Sequence, residues 1–492
     1  MSYLNLLHAL VGPEAILLIT AFAVLTFDLL LQRTWDIPAR MRIAGTLAIV
    51  GSLGAIVLLT QQVPTTLFGQ TLVVNSLTIL FKIVLVTLTV LTVIISIDYP
   101  VGRHVGEYFA VLLFGAIGML LLVSAEELIA IFVALELTSL SLYILTAFHK
   151  GALRSQEAAV KYFMFGAISS AFLLFGMSYL YGVTGATNLR EIASAISASG
   201  SSPLLVVALL FILIGFGFKV AVVPFHLWAP DAYEGAPTPV TAFIATGSKV
   251  ASFFVLTKFV MLSFAGMAGS AFWRHLTPGW TMLLAFMAVA SMVLGNCAAI
   301  VQHNVKRLLA YSSIAHAGYI LVGLLAASTT GATAVFYYII VYALTNLGAF
   351  GVVAALSERV GGDDLEHFDG MSKRAPFLSL LMLVFVLSLA GVPPLGGFFG
   401  KFYLFMAAVE RDSVHFGLLW LVILGIFMSA VSLYYYLILL KHIYLAAPKE
   451  SQRIRTPFYL NATLGAVALA VIGFGIFPEP IVALLKTLAA KL

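Results

Sequence analysis

Apolar runs long enough to cross a bilayer recur along the whole chain, separated by short polar or Gly/Pro-rich clusters. A hydrocarbon core about 30 Å thick takes about 20 helical residues to cross. Cutting at the polar clusters predicts about fourteen spans, near residues 13–31, 41–60, 72–96, 107–123, 127–148, 160–182, 203–229, 237–264, 280–301, 305–327, 332–357, 376–409, 416–446 and 458–487. The short alternating strands of a membrane β-barrel are absent. The predicted fold class is therefore an all-α polytopic membrane protein. No loop is long enough for a soluble domain; the longest, near 357–376, reads "SERVGGDDLEHFDGMSKRA". The opening "MSYLNLLHALVGPEAILLIT" lacks a basic stretch and a small-residue cleavage site, so its apolar run is read as a retained span.

Composition agrees: of 492 residues 62% are hydrophobic and 10% charged, against about 25% charged in soluble domains. The net charge of +5 is explained by topology rather than by nucleic acid. Arg33, Arg40, Arg42, Arg103, Lys150 and Arg154, and on to Lys449, Arg453 and Arg455, fall on one set of alternate loops or loop edges. The other set, termini included, carries only Arg190, Arg274, Arg411, Lys486 and Lys491. The positive-inside rule makes the first set cytoplasmic and both termini external. The lone Cys297 excludes an internal disulfide and a cysteine-held iron–sulfur cluster.

Two spans are interrupted in a similar way, the seventh by "FGFKVAVVPF" and the twelfth by "LAGVPPLGGFFGKFYLF". They lie an odd number of helices apart, so two five-helix units containing them have opposite topology. Inverted repeats with broken helices mark many ion and solute transporters. The chain is accordingly divided into helices 1–3 (1–106), repeat one with helices 4–8 (107–264), repeat two with helices 9–13 (280–446) and helix 14 (458–487).

Within the spans the ionisable residues are Glu136, Lys219, Lys249, Lys401, Lys82, Lys258 and His316. A mid-bilayer charge costs several kcal/mol, so each demands a reason. Glu136 shares a helical face with Ser139 and Tyr143, and Lys249 with Thr246 and Ser252. Lys219 and Lys401 lie beside helix breaks, where freed carbonyls can solvate an ammonium. Lys82 and Lys258 are read as snorkelling from span ends or as local packing, with a functional role left open. His316 and His226 are both candidate proton carriers, although His316 suits a hydrogen-bonded core histidine equally and His226 could instead organise the loop after Pro224. One carboxylate and three lysines suit proton transfer: burial disfavours a charged lysine and an adjacent carboxylate restores it, so their separation acts as a switch. The energy must come from elsewhere. "GGFFGK" departs from a phosphate-binding loop at Leu395 and Phe402, and no dinucleotide, metal or haem motif is present.

The stretches "EYFAVLLFGAIGMLLLVSAEELIAIFVALEL", "EAAVKYFMFGAISSAFLLFG", "FKVAVVPFHLWAPDAYEGAPTPVTAF", "NVKRLLAYSSIAHAGY" and "PPLGGFFGKFYLF" resemble, in order, the antiporter-like membrane subunits of respiratory complex I. The resemblance covers nearly the whole chain. It implies fourteen helices, paired inverted repeats and a line of charged residues along the membrane midplane of a proton-translocating NADH:quinone oxidoreductase. By motif, Glu136 and Lys219 would gate proton uptake, and Lys249, His316 and Lys401 would relay or release the proton. FMN, iron–sulfur clusters and quinone would belong to partner subunits of the complex, and none to this chain. In span 11 only Thr345 and Asn346 stand where larger relatives carry an ionisable group, which leaves the step from His316 to Lys401 to be bridged by water. Two other readings remain: a subunit of a multisubunit sodium/proton antiporter, and a scaffold without its own proton path. "GGFFGKFYLF" weighs against the first, because close antiporter relatives carry a glutamate at the lysine position; three costly lysines weigh against the second.

Overall fold

The structure is a computed structural model that describes residues 12–31, 35–200, 202–412, 415–448, 450 and 452–491. Residues 1–11, Arg33 and Lys449 lie outside the described residues. Among the described residues, thirteen helices are long and apolar enough to cross a membrane. A further span is split into Pro376–Ala390 and Gly396–Glu410. The chain forms two compact units, unit 1 comprising Met1–Lys219 with Gly235–Gly266 and unit 2 comprising Val220–Glu234 with Met267–Leu492.

Unit 1 contains α1 (Gly12–Leu31), α2 (Ile37–Gln61), α3 (Ser76–Ser96), α4 (Val105–Ser124), α5 (Leu128–Thr146), α6 (Leu153–Thr184), the short α7 (Leu189–Ser199) and α8 (Pro203–Val220). After α9 (Trp228–Gly235), which belongs almost wholly to unit 2, it regains the chain for α10 (Thr238–Phe243), a π-helical turn (Ile244–Ser248) and α11 (Lys249–Ser263). Helix starts follow capping chemistry. Asn75 accepts from Thr78 N at 2.8 Å and Glu127 from Ala130 N at 2.8 Å, satisfying backbone donors that have no partner inside the helix. The span formed by α10, the π turn and α11 is wholly buried, whereas only a third of α2 is. The former is the core of unit 1, and the latter presents apolar side chains outward.

Unit 2 contains α12 (Trp280–Ile300), α13 (Val305–Leu325), α14 (Thr329–Val360), the single turn α15 (Met371–Arg374), α16 (Pro376–Ala390), α17 (Gly396–Glu410), α18 (Leu419–Tyr444), α19 (Phe458–Ile476) and α20 (Glu479–Ala489). Its core is α13 and α14, each 94% buried. Both have side-chain caps, Asn304 on Lys306 N at 3.0 Å and Ser328 on Gly331 N at 3.1 Å.

Two span predictions are corrected. Residues 72–74 belong to a hairpin, β1 (Thr65–Leu67) with β2 (Leu72–Val74), and α3 starts only after Asn75. The last span ends at Ile476; Pro478 then caps a separate amphipathic helix, α20, which carries Pro480 in its first turn. A second hairpin, β3 (Ser270–Phe272) with β4 (His275–Thr277), precedes α12. Three-residue strands leave too short an alternation to be read from hydropathy.

Candidate functional site

The first helix break follows from Pro224, which offers no N–H and biases the residue before it away from helix. α8 stops at Val220, Ala221 takes a φ of +58°, and the Val223–Pro224 peptide is cis. Lys219 therefore occupies the last turn of α8, buried, beside backbone that has left the helical ladder. Its ammonium donates to the Ser139 hydroxyl on α5. It also lies 5.2 Å from the Phe218 ring centre and 5.9 Å from that of Tyr143. Glu136, one turn before Ser139, is half-buried and accepts from Ser170 on α6 at 2.5 Å. The lysine and the carboxylate make no direct ion pair; Ser139 engages the ammonium, and the carboxylate acts on it through space. Tyr143 fits because Gly166 has no side chain: a Cβ there would overlap the Tyr143 hydroxyl oxygen. Lys249 begins α11, directly after the π turn, and is 2% exposed.

His226 lies in the loop joining α8 to α9, within unit 2, and is buried. Val223 N donates to Ser291 on α12 at 2.9 Å. Arg307 at the start of α13 holds Asp231 at 2.6 Å and Glu234 at 2.9 Å. These contacts fix the loop, while His226 Nδ1 is buried without a hydrogen bond.

At the second break α16 ends on Gly391, whose φ of +85° lets the chain reverse and cap Leu387 O. Val392, Pro393 and Pro394 follow, and α17 begins at Gly396. Lys401 reaches back to the carbonyls freed there. Its Nζ donates to Leu389 O at 2.9 Å, Ala390 O at 3.1 Å and Ser429 Oγ at 2.7 Å, and it sits 4.9 Å above the Tyr319 ring. A cavity of ≈ 500 Å³ adjoins it, lined by Phe398, Phe402, Phe405 and Met406 among other apolar side chains, with Lys401 and Ser429 its polar groups.

His316 on α13 stands in a cage of tyrosines. Its Nδ1 lies 2.5 Å from the Tyr338 hydroxyl and its Nε2 3.2 Å from the Tyr436 hydroxyl. Tyr319 packs edge-on against the imidazole at 5.5 Å, and Tyr436 shares a hydrogen bond with Ser312. Tyr319 is held by Asn296 at 3.0 Å, which in turn accepts from Tyr435 at 3.0 Å. A histidine with a hydroxyl on each nitrogen can take a proton at one and give it at the other. Tyr319 packs against both His316 and Lys401, so an aromatic side chain stands beside the step that the sequence left to water. Span 11 contributes Tyr338 and Tyr342 to the cage, and Thr345, 3.3 Å from Ser388 near the break.

The structure thus brings Glu136, Ser139 and Lys219 together in unit 1, and His316 and Lys401 in unit 2. Sequence reasoning passed over Ser170, Tyr319, Tyr338 and Tyr436. Ser169–Ser170 inside an apolar run, and hydroxyls recurring at helical spacing about His316 (Ser312, Tyr319), were the available signals.

The snorkelling reading of Lys82 and Lys258 is overturned. Lys82 pairs with Glu14 at 2.7 Å and Lys258 with Glu126 at 3.0 Å, and all four side chains are buried. The inventory of buried charge also omitted Asp28 and Arg40, paired at 2.7 Å. Partners from distant segments make burial tolerable where the lysine's own helix offers none. Among the described residues no group of three or more His, Cys, Asp or Glu side chains could hold a metal.

A multi-pass helical bundle with a buried ammonium at a broken helix in each unit is the architecture of ion-translocating membrane proteins. Residues 125–432 match the family described as NADH:quinone oxidoreductase/Mrp antiporter, transmembrane, and the chain belongs to that family. It is 47% identical to NADH-quinone oxidoreductase subunit N 2 of Acidobacterium capsulatum, over 97% of this chain and 98% of that one. It is 44% identical to NADH-quinone oxidoreductase subunit N of Moorella thermoacetica, over 82% of each. Among solved structures it resembles a chain of respiratory complex I from Thermus thermophilus, at TM-score 0.78 and 33% identity over 96% of this chain and 98% of that one. The fold is shared with a chain of the Mrp complex from Dietzia sp., at TM-score 0.81 and 20% identity over 97% of each.

Proposed function

We propose that this chain is a proton-translocating membrane subunit of NADH:quinone oxidoreductase, of the subunit N type, embedded in a bacterial plasma membrane with both termini on the external side. It works beside other membrane-arm and peripheral subunits. FMN, iron–sulfur clusters and quinone are assigned to those partners, which carry electrons while this chain carries protons. The observation that supports this most is that each unit holds a buried lysine at a helix break with oxygen ligands that are not carboxylates. Such an ammonium is solvated enough to exist charged, yet not locked to a counter-ion, so it can release its proton when a nearby charge changes. In unit 1 that charge is Glu136. Its approach to Lys219 favours the ammonium and its withdrawal toward Ser170 favours the amine. Lys249, His316 and Lys401 then pass the proton on, with Tyr338 and Tyr436 orienting the imidazole, and His226 serves the loop that follows Pro224. The repeats are assigned to 107–264 and 280–446.

The test is Glu136→Gln in the assembled complex, a change that nearly preserves volume. NADH-driven proton uptake into sealed vesicles should fall while the complex remains in the membrane. Parental uptake with full assembly would reject Glu136 as the switching charge.

A further inference from the structure

Unit 1 contains a second group of buried charges that the proposed path does not use. Lys82 Nζ on α3 lies 2.7 Å from Glu14 Oε1 on α1, the side chains 1% and 3% exposed. Lys258 Nζ on α11 lies 3.0 Å from Glu126 Oε1, both side chains 1% exposed. Glu126 Oε2 accepts from Arg190 Nε on α7 at 3.1 Å, and that arginine is 47% exposed. The two pairs adjoin. Phe81, next to Lys82, packs on Phe254, one turn before Lys258, with ring centres 4.6 Å apart, and the Lys82 charge is felt at Lys258. Backbone bonds from Glu126 N to Thr71 O (3.0 Å) and from Leu189 N to Glu126 O (2.9 Å) hold the carboxylate in place.

A structural staple is the ordinary explanation, but it accounts poorly for the details. Burying each ion costs several kcal/mol, and well-packed apolar residues hold helices together as well or better. A staple would also engage its oxygens. Glu14 Oε2 is buried without a hydrogen bond, and Glu126 Oε1 faces Lys258 out of hydrogen-bond alignment while the ammonium donates to Ala125 O at 3.2 Å. Glu14 therefore keeps an oxygen on which a proton can settle, and Glu126 Oε1 stands where it can take one from Lys258. By the Lys/Arg distribution Glu14, Lys82, Lys258 and Arg190 lie toward the ends of their helices on the lysine- and arginine-poor side, and Glu126 lies in the link between α4 and α5 on that side.

We propose that Glu14, Lys82, Glu126 and Lys258 form a second proton-holding station in unit 1, exchanging with the aqueous phase on the lysine- and arginine-poor face past Arg190. The proposal rests on the proton-translocation reading above. In the exchange the Lys258 N–H bond breaks, its electron pair stays on nitrogen, and an O–H bond forms at Glu126 Oε1. The carboxyl proton then passes to water at the half-exposed Arg190, whose guanidinium stabilises the carboxylate left behind. The neutral amine is recharged by the next proton reaching the unit.

The experiment compares two double variants in the complete complex, Glu126→Gln with Lys258→Met, and Glu14→Gln with Lys82→Met. Each removes both charges of a buried pair at near-constant volume, so no ion is stranded, and the exposed Arg190 stays in water. Assembly is followed on native gels, and proton uptake per NADH oxidised is measured in sealed vesicles. Both doubles should assemble and lose the larger part of that uptake. Assembled doubles with a parental ratio overturn the proposal. If a double does not assemble, Glu126→Asp decides, because it keeps the charge but withdraws the carboxylate from Lys258: a parental ratio there also overturns it. Lys219→Met is run alongside. Its failure to reduce uptake would fell the proton-translocation reading itself, whereas a loss there with parental doubles fells only the second station.

Discussion

The two units solvate buried charge in different ways. In unit 1 opposite charges come within contact, as in Glu14 with Lys82, Glu126 with Lys258 and Asp28 with Arg40, and even Lys219 feels Glu136 through space. Unit 2 has ion pairs too, such as Lys306 with Asp363, but the two groups on its proposed proton path are met by neutral dipoles. Lys401 has two carbonyls and a hydroxyl, and His316 has two tyrosines. A counter-charge ties the state of one group to that of its neighbour, which suits a switch. Carbonyls released at a helix break give fixed partial charges that do not titrate, which suits a site that must hold a proton and let it go. The difference makes unit 1 sensitive to loss of charge and unit 2 sensitive to loss of hydroxyls.

The largest effect expected from that contrast is at Lys219. A positioned proton-transfer group is worth about 10²–10⁴-fold in rate, so Lys219→Met should slow its step at least about a hundredfold and stall coupled turnover. NADH-driven proton uptake in sealed vesicles reads this directly, and parental uptake would erase the distinction between the units. At Lys401 the Ala variant removes the proton carrier, while Arg keeps a charge that does not give up its proton. Both should assemble and both should lower the proton yield. An Arg variant that pumps normally would mean the site needs only a fixed positive charge.

A smaller effect is expected at Tyr338, where Phe removes the hydroxyl from His316 Nδ1. Loss of one hydrogen bond costs about 1 kcal/mol, so the complex should remain assembled with slightly lower thermal stability. Proton yield should drop further than that stability change would explain. Equal, modest changes in both would make Tyr338 a packing residue. The least effect is expected for Ser170→Ala, which frees Glu136 from its 2.5 Å donor. The carboxylate is half-buried and can find water, so proton yield should change by less than in Glu136→Gln. A loss as large as that of the glutamine variant would put Ser170 itself on the path.

Much of the fold is legible in the amino-acid sequence. Local hydropathy places the spans, because each helix must satisfy its own backbone bonds in lipid and needs nearly constant length. Pro224 and the Gly391–Pro394 stretch announce both breaks, since proline acts on the chain immediately around it. The cost of mid-span lysines singles out Lys219, Lys249 and Lys401. Sequence reasoning fails where the answer lies far along the chain. Lys82 reads as a snorkelling residue because its partner Glu14 is 68 positions away, and Lys258 because Glu126 is 132 positions distant. The tyrosine cage escapes notice for a related reason: a tyrosine in an apolar span has the same hydropathy whether its hydroxyl meets a histidine or a backbone carbonyl. By itself the sequence determined how many times the chain crosses, where helices break and which charges need an explanation, because these depend on neighbours within a few turns. Only the tertiary structure decided which oxygen faces which nitrogen, because hydrogen bonds of about 3 Å are set by packing between helices distant in sequence.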